Sequence, residues 1–321
     1  MTPPNDKIVI ATRSSELALW QARHVQALLA ERGLQSELKT YKTVGDKRLD
    51  EPLSAIGAKG LFTAELEADL HAGRVDCCVH SLKDLPTEMP DGLLLGALLE
   101  REDPRDVLIV NRVTEASSLR DLPRGSRVGT SSLRRRAQLL ALRPDLEVAE
   151  LRGNVPTRIR KVDDGMVHAA ILAAAGVKRL GVHQRITAFL DAPEWLPAAG
   201  QGAIAVQVRA DDARMLHLAG QLDHAPTTRN VRAERAFLAT LEGGCQVPIG
   251  ALIVEDLGGA MLHGFIGDVK GKRIVRGARA LDPLEPEATG HALAMELRGK
   301  GGDQILLELR ELSRVPSPQP E

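Results

Sequence analysis

Segments typical of strands alternate with segments typical of helices along the first two thirds of the chain. Residues 7–12 and 75–80 are short apolar runs that predict strands. Between them, a helix is expected from Ser15, as its N-cap, to about Ala30. A second series of strands and helices starts near Asp106. This alternation predicts parallel sheets that are covered by helices on both faces.

The last third of the chain has a different pattern. Residues 251–254, 261–266 and 273–280 alternate as antiparallel strands do, and the segments around them have helical spacing. This part of the sequence predicts a compact α+β unit. Residues 313–321 contain three prolines and predict a disordered tail.

Composition restricts the possible functions. The 321 residues include 42 basic and 43 acidic side chains, and a net charge of −1 gives no overall field that attracts nucleic acid or a membrane. Aromatic residues make up 2% of the chain, which disfavours base stacking on single-stranded nucleic acid. The sequence shows no signal-peptide pattern and no apolar run of membrane-spanning length. The three cysteines form no CxxC pair, so we expect a reducing cytoplasm and no metal site.

The segment VHSLKD, residues 79–84, ends an apolar strand in a polar cluster. In α/β sheets, ligands bind at the carboxyl ends of parallel strands. Asp84, beside Lys83, is therefore a candidate for proton transfer or for stabilising a cation. A plain strand end followed by a turn explains the segment equally well from position alone.

The segment GTSSLRRR, residues 129–136, leads from a predicted strand into a predicted helix. Cations near the start of a helix oppose its dipole, which costs about 0.3–1 kcal/mol each. An anionic ligand would reverse this cost for Arg134 and Arg135, because backbone N–H groups and guanidinium groups would converge on it. The alternative is a solvated basic face.

Further arginines follow other predicted strand ends. Arginine suits bidentate carboxylate recognition better than lysine does. A set of arginines at corresponding positions predicts one cleft for a ligand with several carboxylates or phosphates. These residues are Arg13, Arg152, Arg158 and Arg179.

Two other segments could take part in chemistry. Cys245 follows two glycines, which favours an accessible thiol that could act as a nucleophile or a covalent anchor. Cys77 and Cys78 lie inside an apolar strand and are expected to be small core residues. The segment GAKGLF, residues 57–62, could be a flap over the cleft or a plain loop.

Together these segments resemble the porphobilinogen deaminase family, whose members are also called hydroxymethylbilane synthases. The resemblance runs in order from about residue 7 to residue 250, and beyond that it lies mainly in the pattern. The matching stretches are RSSELALWQ (13–21), KGLF (59–62), VHSLKD (79–84), EREDPRD (100–106), GTSSLRR (129–135), LRGN (151–154), AAGQG (198–202) and EGGCQVP (242–248).

The resemblance implies an α/β fold with two lobes like those of periplasmic binding proteins. Their sheets are expected to be mixed and mostly parallel, and a smaller C-terminal α+β domain is expected to follow. Domain 1 would comprise residues 1–102 and 202–222, domain 2 residues 103–201, and the C-terminal domain residues 223–312. The resemblance also implies a cytoplasmic monomer without nucleic-acid or membrane partners.

The resemblance further implies a transferase of tetrapyrrole and haem biosynthesis. In the family, the cysteine that corresponds to Cys245 holds a dipyrromethane cofactor through a thioether, and the enzyme makes this cofactor from its own substrate. Four porphobilinogens are added head to tail, each with loss of ammonia. Hydrolysis then releases hydroxymethylbilane.

The resemblance also assigns roles to individual residues. Asp84 matches the catalytic aspartate, and Lys59 and Phe62 match the flap. Ala55 stands where many relatives have lysine, which puts one charged contact of that loop in doubt. Residues that match cofactor-binding positions, besides Cys245, are Lys83, Thr130, Ser132, Arg134 and Arg135. Residues that match substrate-binding positions are Arg13, Ser15, Arg152, Arg158 and Arg179.

Two other classes of protein remain as alternatives. A non-catalytic polycarboxylate-binding protein would share the two lobes but would not need Asp84 or Cys245. A nucleic-acid-binding protein that used Arg134, Arg135 and Arg136 would lose affinity steeply with salt.

Overall fold

The computed structural model describes residues 7–43, 63–242 and 247–314. The strands are β1 (Ile8–Arg13), β2 (Ser36–Tyr41), β3 (Cys77–Ser81), β4 (Leu93–Leu98), β5 (Asp106–Val110), β6 (Arg127–Gly129), β7 (Glu147–Ala149), β8 (Ala169–Ala173), β9 (Ala188–Leu190), β10 (Ile204–Arg209), β11 (Ile249–Asp256), β12 (Gly259–Gly267) and β13 (Ile274–Ala280). The helices are α1 (Glu16–Ala30), α2 (Ala64–His71), α3 (Leu133–Leu142), α4 (Val155–Asp163), α5 (Ala174–Arg179), α6 (Ala213–Gly220), α7 (Ala225–Thr240), α8 (Pro286–Leu297) and α9 (Asp303–Arg314). Short 3-10 turns lie at Leu82–Asp84 and His183–Arg185, and a π turn, Arg298–Gly302, joins α8 to α9.

Two five-stranded mixed sheets form two lobes. The first lobe has the strand order β2-β1-β3-β10-β4, and the second has the order β7-β6-β8-β5-β9. Four strands of each sheet point the same way, and one strand, β10 or β5, runs antiparallel to its neighbours. The expected class, α/β with mixed and mostly parallel sheets, is confirmed.

Both sheets are buried on both faces, as the apolar runs predict. Alternate residues of β1 enter different cores: Ile8 and Ile10 pack with helices α1 and α6, whereas Ala11 packs with α2. In β5, Leu108 faces the core under α3, and Ile109 faces the core under α4 and α5. The strand ends are therefore the places where polar side chains of these sheets reach solvent or a ligand.

The C-terminal unit, residues 225–314, packs three helices on one face of the antiparallel sheet β11-β12-β13. Phe237 on α7, Leu293 on α8 and Ile305 on α9 share its core. The smaller α+β unit expected from the sequence is thus present. Helix α9 runs to Arg314 and includes the first two residues of the expected tail, while residues 315–321 lie outside the described part of the chain.

Three features differ from the sequence-based expectation or extend it. Helices α5 and α6 and strand β9 have no counterpart among the predicted elements, and all three are short. Strand β10 returns to the first sheet after the whole second lobe, which no local pattern indicates. Because β10 belongs to the first sheet, the chain enters the second lobe after β4 and leaves it before β10. The exact domain limits, at residues 102 and 202, stay predictions.

Helices α7 and α8 approach closely at Gly290. A Cβ atom at this position would lie 2.2 Å from the carbonyl oxygen of Ala233. Glycine inside a helix costs about 1 kcal/mol relative to alanine, so this close approach is the structural reason for it.

We predict that Gly290→Ala lowers the free energy of unfolding by about 1–3 kcal/mol, because α8 must move away from α7. Gly299→Ala is the matched control, since its Cβ would meet nothing within 4 Å. Urea denaturation of both variants tests this prediction. Equal stabilities would show that the helices separate without cost.

Candidate active site

The carboxylate of Asp84 stands at the carboxyl end of β3. Strand β3 ends at Ser81, and the 3-10 turn Leu82–Asp84 follows it directly. Leu82 and Leu85 on either side of the carboxylate are buried at 0% and 4% exposure, whereas Asp84 is half-buried. The two apolar anchors hold the turn and leave the carboxylate at the surface of the lobe. The predicted polar cluster at a strand end is therefore present.

A small cavity of about 60 Å³ adjoins Asp84. Strands β1 and β3 are parallel neighbours, so their carboxyl ends meet here and bring Arg13 beside Asp84. Ser15 also lines the cavity, and its Oγ caps helix α1 by accepting from the backbone N–H of Ala18 at 3.4 Å. Three residues predicted for the site, Arg13, Ser15 and Asp84, thus share one cavity.

Arg134 and Arg135 are buried at 5% exposure each, so a solvated basic face is excluded for them. Arg134 Nη1 donates to Oδ2 of Asp106 at 2.7 Å, and Arg135 Nη2 donates to Oδ1 at 2.7 Å. The anionic ligand expected at the start of this helix stays a prediction. The first anion there is Asp106, which belongs to the chain itself and which the sequence reasoning missed.

Asp106 accepts four side-chain hydrogen bonds, two on each oxygen. Besides the arginines, Trp195 Nε1 donates to it at 2.8 Å and Gln201 Nε2 at 2.9 Å. Burial alone would raise the pKa of Asp106, but the charges of Arg134 and Arg135 outweigh it and hold that pKa far below its usual range. Asp106 is therefore ionised at all physiological pH values.

One donor of this cluster is left over. Arg135 Nε is buried and has no hydrogen-bond partner among the described residues. Two guanidinium groups also face one carboxylate, so the pair keeps a positive charge. A buried unsatisfied donor is costly, and a carboxylate from a ligand would satisfy it. The pair therefore fits a carboxylate-bearing cofactor.

Lys83 connects Asp84 to this cluster. Its Nζ donates to Oε1 of Gln201 at 3.2 Å, and the same amide donates to Asp106. Burial and the charge of Arg135 lower the pKa of Lys83 to about 8, while Asp84 acts in the opposite direction. Near neutral pH, this lysine can exchange a proton more readily than an ordinary one.

Arg152 and Arg158 add positive charge from the second lobe. Burial and the charges of Arg135 and Arg152 lower the pKa of Arg158 to about 10, and Asp84 opposes this shift. These groups are therefore within electrostatic range of one another. Arg158 Nε donates to the carbonyl of Gly153 at 2.8 Å, which holds its guanidinium beside the segment that carries Arg152.

The predicted hydroxyls hold the loop before α3. Thr130 Oγ1 accepts from the N–H of Ser132 at 3.2 Å, and Ser132 Oγ caps the helix by accepting from the N–H of Arg135 at 3.5 Å. Both residues shape the backbone that carries the arginine pair.

Arg158 and Arg179 lie in helices that follow strands, not at the strand ends themselves. Arg158 lies within helix α4, and Arg179 is the last residue of α5, where its charge suits the helix dipole. Arg179 Nη2 donates to the carbonyl of Gly202 at 2.7 Å, and its guanidinium stacks 5.5 Å from the Trp20 ring. In this structure Arg179 bridges the two lobes.

Four residues singled out in the sequence, Ala55, Lys59, Phe62 and Cys245, lie outside the described residues. Their roles stay predictions. Cys77 and Cys78 are buried, and burial raises the pKa of Cys77 to about 12, which confirms them as inert core residues.

A buried polar chain behind Asp84 also escaped the sequence reasoning. His80 Nε2 lies 3.0 Å from Oε1 of Gln207, and Gln207 Nε2 donates to Glu67 at 3.0 Å. Burial lowers the pKa of His80 to about 4, so this imidazole is neutral at physiological pH. His80 could have been found from the sequence, because it lies in the segment VHSLKD. No sequence feature indicates that Gln207 is its partner.

The described parts of the chain contain no cluster of three or more potential metal ligands. Among the helices of those parts, none combines the length and the apolar character that a membrane span requires.

Fold and site together define a two-lobed α/β protein with an arginine-rich site next to a carboxylate at a strand end. The chain belongs to the porphobilinogen deaminase family. Residues 8–217 match the family model described as "Porphobilinogen deaminase, dipyromethane cofactor binding domain", and residues 228–299 match "Porphobilinogen deaminase, C-terminal domain".

Curated relatives match over nearly the whole chain. A porphobilinogen deaminase of Syntrophomonas wolfei is 50% identical over 306 residues, which is 94% of this chain and 98% of the relative. One from Nitratidesulfovibrio vulgaris is 47% identical over 94% of this chain and 97% of its own length. One from Moorella thermoacetica is 48% identical over 96% and 98%, respectively.

Solved structures show a weaker similarity. The methionine-binding protein MetQ has a TM-score of 0.44 at 15% identity, with 74% of this chain and 94% of that chain covered. A putative methionine-binding lipoprotein from Bacillus subtilis has a TM-score of 0.42 at 13% identity, with 69% and 92% covered. Because these TM-scores are low, the fold is assigned from the strand orders of the three sheets and not from these similarities.

We predict that Asp106→Asn lowers the free energy of unfolding by about 3–5 kcal/mol, because it leaves two buried guanidinium groups without their carboxylate. Folding lowers the pKa of Asp106 from its ordinary value of 3.8. The ionised carboxylate therefore contributes fully to the free energy of unfolding above about pH 4, and this contribution is lost as the pH falls further. The difference between wild type and variant should therefore shrink below about pH 4.

Asp145→Asn is the matched control, because Asp145 pairs with Arg143 at 2.7 Å near the surface of the same lobe. Solvent screens that pair, so its loss should have a much smaller effect. Denaturation curves from pH 7 to pH 3 measure both. Similar losses in the two variants would contradict a central role for Asp106.

Proposed function

We propose that this chain catalyses the stepwise head-to-tail condensation of four porphobilinogen molecules, with loss of ammonia at each step. Hydrolysis then releases hydroxymethylbilane for tetrapyrrole and haem biosynthesis. The position of Asp84 supports this proposal most strongly: it is a carboxylate at a strand end that shares a cavity with Arg13 and lies within electrostatic range of Lys83 and Arg158.

The cofactor is dipyrromethane, with Cys245 as its thioether anchor. When bound, it supplies the free pyrrole carbon to which the first substrate is joined. The buried Nε of Arg135 and the surplus positive charge of the arginine pair fit its carboxylates. Lys83, Thr130 and Ser132 complete the residues that would hold it.

Asp84 would act on the substrate as the amine leaves. Breaking the carbon–nitrogen bond of the aminomethyl group releases ammonia and leaves a cationic methylene-pyrrolenine. A carboxylate beside the pyrrole nitrogen lowers the energy of this cation. The electrophilic methylene carbon would then accept the new carbon–carbon bond from the free α-carbon of the acceptor pyrrole, and that α-carbon would lose its proton to a base. The same carboxylate is in place to manage that proton.

The remaining cations would bind the acidic side chains of substrate and product. Each porphobilinogen carries an acetate and a propionate, so the chain gains two carboxylates at each addition. Guanidinium groups recognise such groups in a bidentate manner. The proposed substrate-binding residues are Arg13, Ser15, Arg152, Arg158 and Arg179.

Lys59 and Phe62 are proposed as parts of a flap over this site. We further propose that the enzyme works in the cytoplasm as a monomer, without nucleic-acid or membrane partners. The burial of Arg134 and Arg135 supports the exclusion of nucleic acid, because these guanidinium groups form no exposed basic surface along which a phosphate backbone could lie.

We predict that Asp84→Asn folds and carries the mass of the cofactor, yet loses at least about 100-fold in kcat, which is the range typical for loss of a general acid or base. Asp84→Glu should retain more activity, because it keeps the negative charge. Steady-state release of hydroxymethylbilane measures both variants.

Glu88→Gln is the control, because it removes an exposed carboxylate four residues along the chain. It should turn over like the wild type. Near-normal turnover by Asp84→Asn would remove Asp84 from the chemistry and would favour a protein that only binds polycarboxylates.

A further inference from the structure

One face of helix α7 is directed at the first lobe. Thr227, Val231, Glu234 and Arg235 recur at helical spacing, which places them on the same side of the helix. Thr227 Oγ1 accepts from the N–H of Arg101 at 3.1 Å. Glu234 receives both terminal nitrogens of Arg101, at 2.7 and 2.9 Å. This side of α7 is thus docked on the segment that follows β4.

The same face reaches the turn that carries Asp84. Val231 packs in one core cluster with Leu82 and Leu85, the two apolar anchors of that turn. One helical turn further on, Arg235 Nη2 donates to the carbonyl of Pro86 at 2.6 Å and to that of Thr87 at 3.1 Å. Arg235 therefore holds the backbone two and three residues after Asp84.

The charge of Arg235 has no carboxylate partner among the described residues. Burial lowers its pKa, and no acidic group counteracts that shift. An uncompensated, partly buried cation lowers the stability of the fold. The two hydrogen bonds to backbone carbonyls are the interactions that Arg235 gains in this position. A neutral side chain would fill the same place at lower cost if packing alone were required.

The packing between turn and helix does not extend to Thr87. A cavity of about 370 Å³ lies between β4 and α7, and both Thr87 and Arg235 line it. The empty space beside Thr87 means that the packing of Val231 against Leu82 and Leu85 is not continued there. There, the two hydrogen bonds of Arg235 supplement the packing of Val231 in setting the distance between turn and helix.

Helix α7 also leads to the predicted cofactor anchor. It ends at Thr240, five residues before Cys245 in the sequence. We propose that Arg235 is a positioning residue for catalysis, which sets the Asp84 turn relative to the helix that leads into the cofactor-bearing segment. The inference rests on the proposed function, because it assigns Arg235 an effect that is exerted through Asp84.

The test compares Arg235→Leu, Arg235→Lys and Arg232→Gln in the full-length holoenzyme. Arg232 lies on the same helix, but it is exposed and pairs with Glu287 instead of the first lobe. Each variant is checked for cofactor mass and thermal midpoint, and kcat and KM for porphobilinogen are then measured.

Arg235→Leu should carry the cofactor, keep KM within about twofold and lose roughly tenfold or more in kcat, since a 1 Å misplacement far from the reacting atoms can cost this much. Arg235→Lys retains a donor and should recover part of kcat, and Arg232→Gln should match the wild type. If Arg235→Leu does not fold, Arg235→Lys decides, with an intermediate kcat at unchanged KM as the expected result.

A wild-type kcat in Arg235→Leu, or in Arg235→Lys when the leucine variant does not fold, would overturn the inference. So would equal losses in Arg235→Lys and Arg235→Leu, or a change confined to KM. An inactive wild type would instead refute the proposed function. The two failures are therefore distinguishable.

Discussion

The buried carboxylate of Asp106 is the constraint on which the site depends. Moving one carboxylate and two guanidinium groups out of water costs several kcal/mol per ion, and only close, well-directed contacts recover that cost. Asp106 meets this condition with donors on both oxygens from Arg134, Arg135, Trp195 and Gln201. Two arginines pair with one carboxylate, so the cluster keeps an excess positive charge. This charge favours the binding of an anionic ligand at the second lobe.

The loop between the lobes extends this constraint to the rest of the molecule. Leu196 accepts from Arg134 at 2.7 Å, and Gly200 donates to Glu234 of the C-terminal unit at 2.8 Å. Gln201 joins Asp106 to Lys83, and Gly202 accepts from Arg179. One short segment thus contacts charged side chains from all three parts of the chain.

Gly202 is required in this segment, since it has a φ of 91° and a Cβ would lie 2.3 Å from the carbonyl oxygen of Glu102.

Local patterns were sufficient for much of this architecture. The apolar runs of β1 and β5, the cap at Ser15 and the helix from Leu133 to Leu142 follow from periodicity and capping, and the structure has them within a few residues. Asp84, Arg13 and Ser15 could be placed together because parallel neighbouring strands end at the same edge of a sheet.

Long-range partners could not be predicted in this way. Asp106 begins an apolar strand and reads as an ordinary strand boundary, and its partners lie 28 to 95 residues away. The antiparallel entry of β10 into the first sheet and the contact of Arg235 with Pro86 likewise depend on the tertiary arrangement. Short elements such as α5 carry too few residues for a periodic signal, which is why the helix that ends at Arg179 was not predicted.

In the proposed reaction, this chain builds a tetrapyrrole on a covalently held dipyrromethane. The most direct measurement is the denatured intact mass of the purified protein, before and after brief exposure to porphobilinogen. We expect an initial excess of two pyrrole units, followed by a ladder of further single units. The unmodified mass in both samples would contradict it and would indicate a protein that binds polycarboxylates without covalent chemistry.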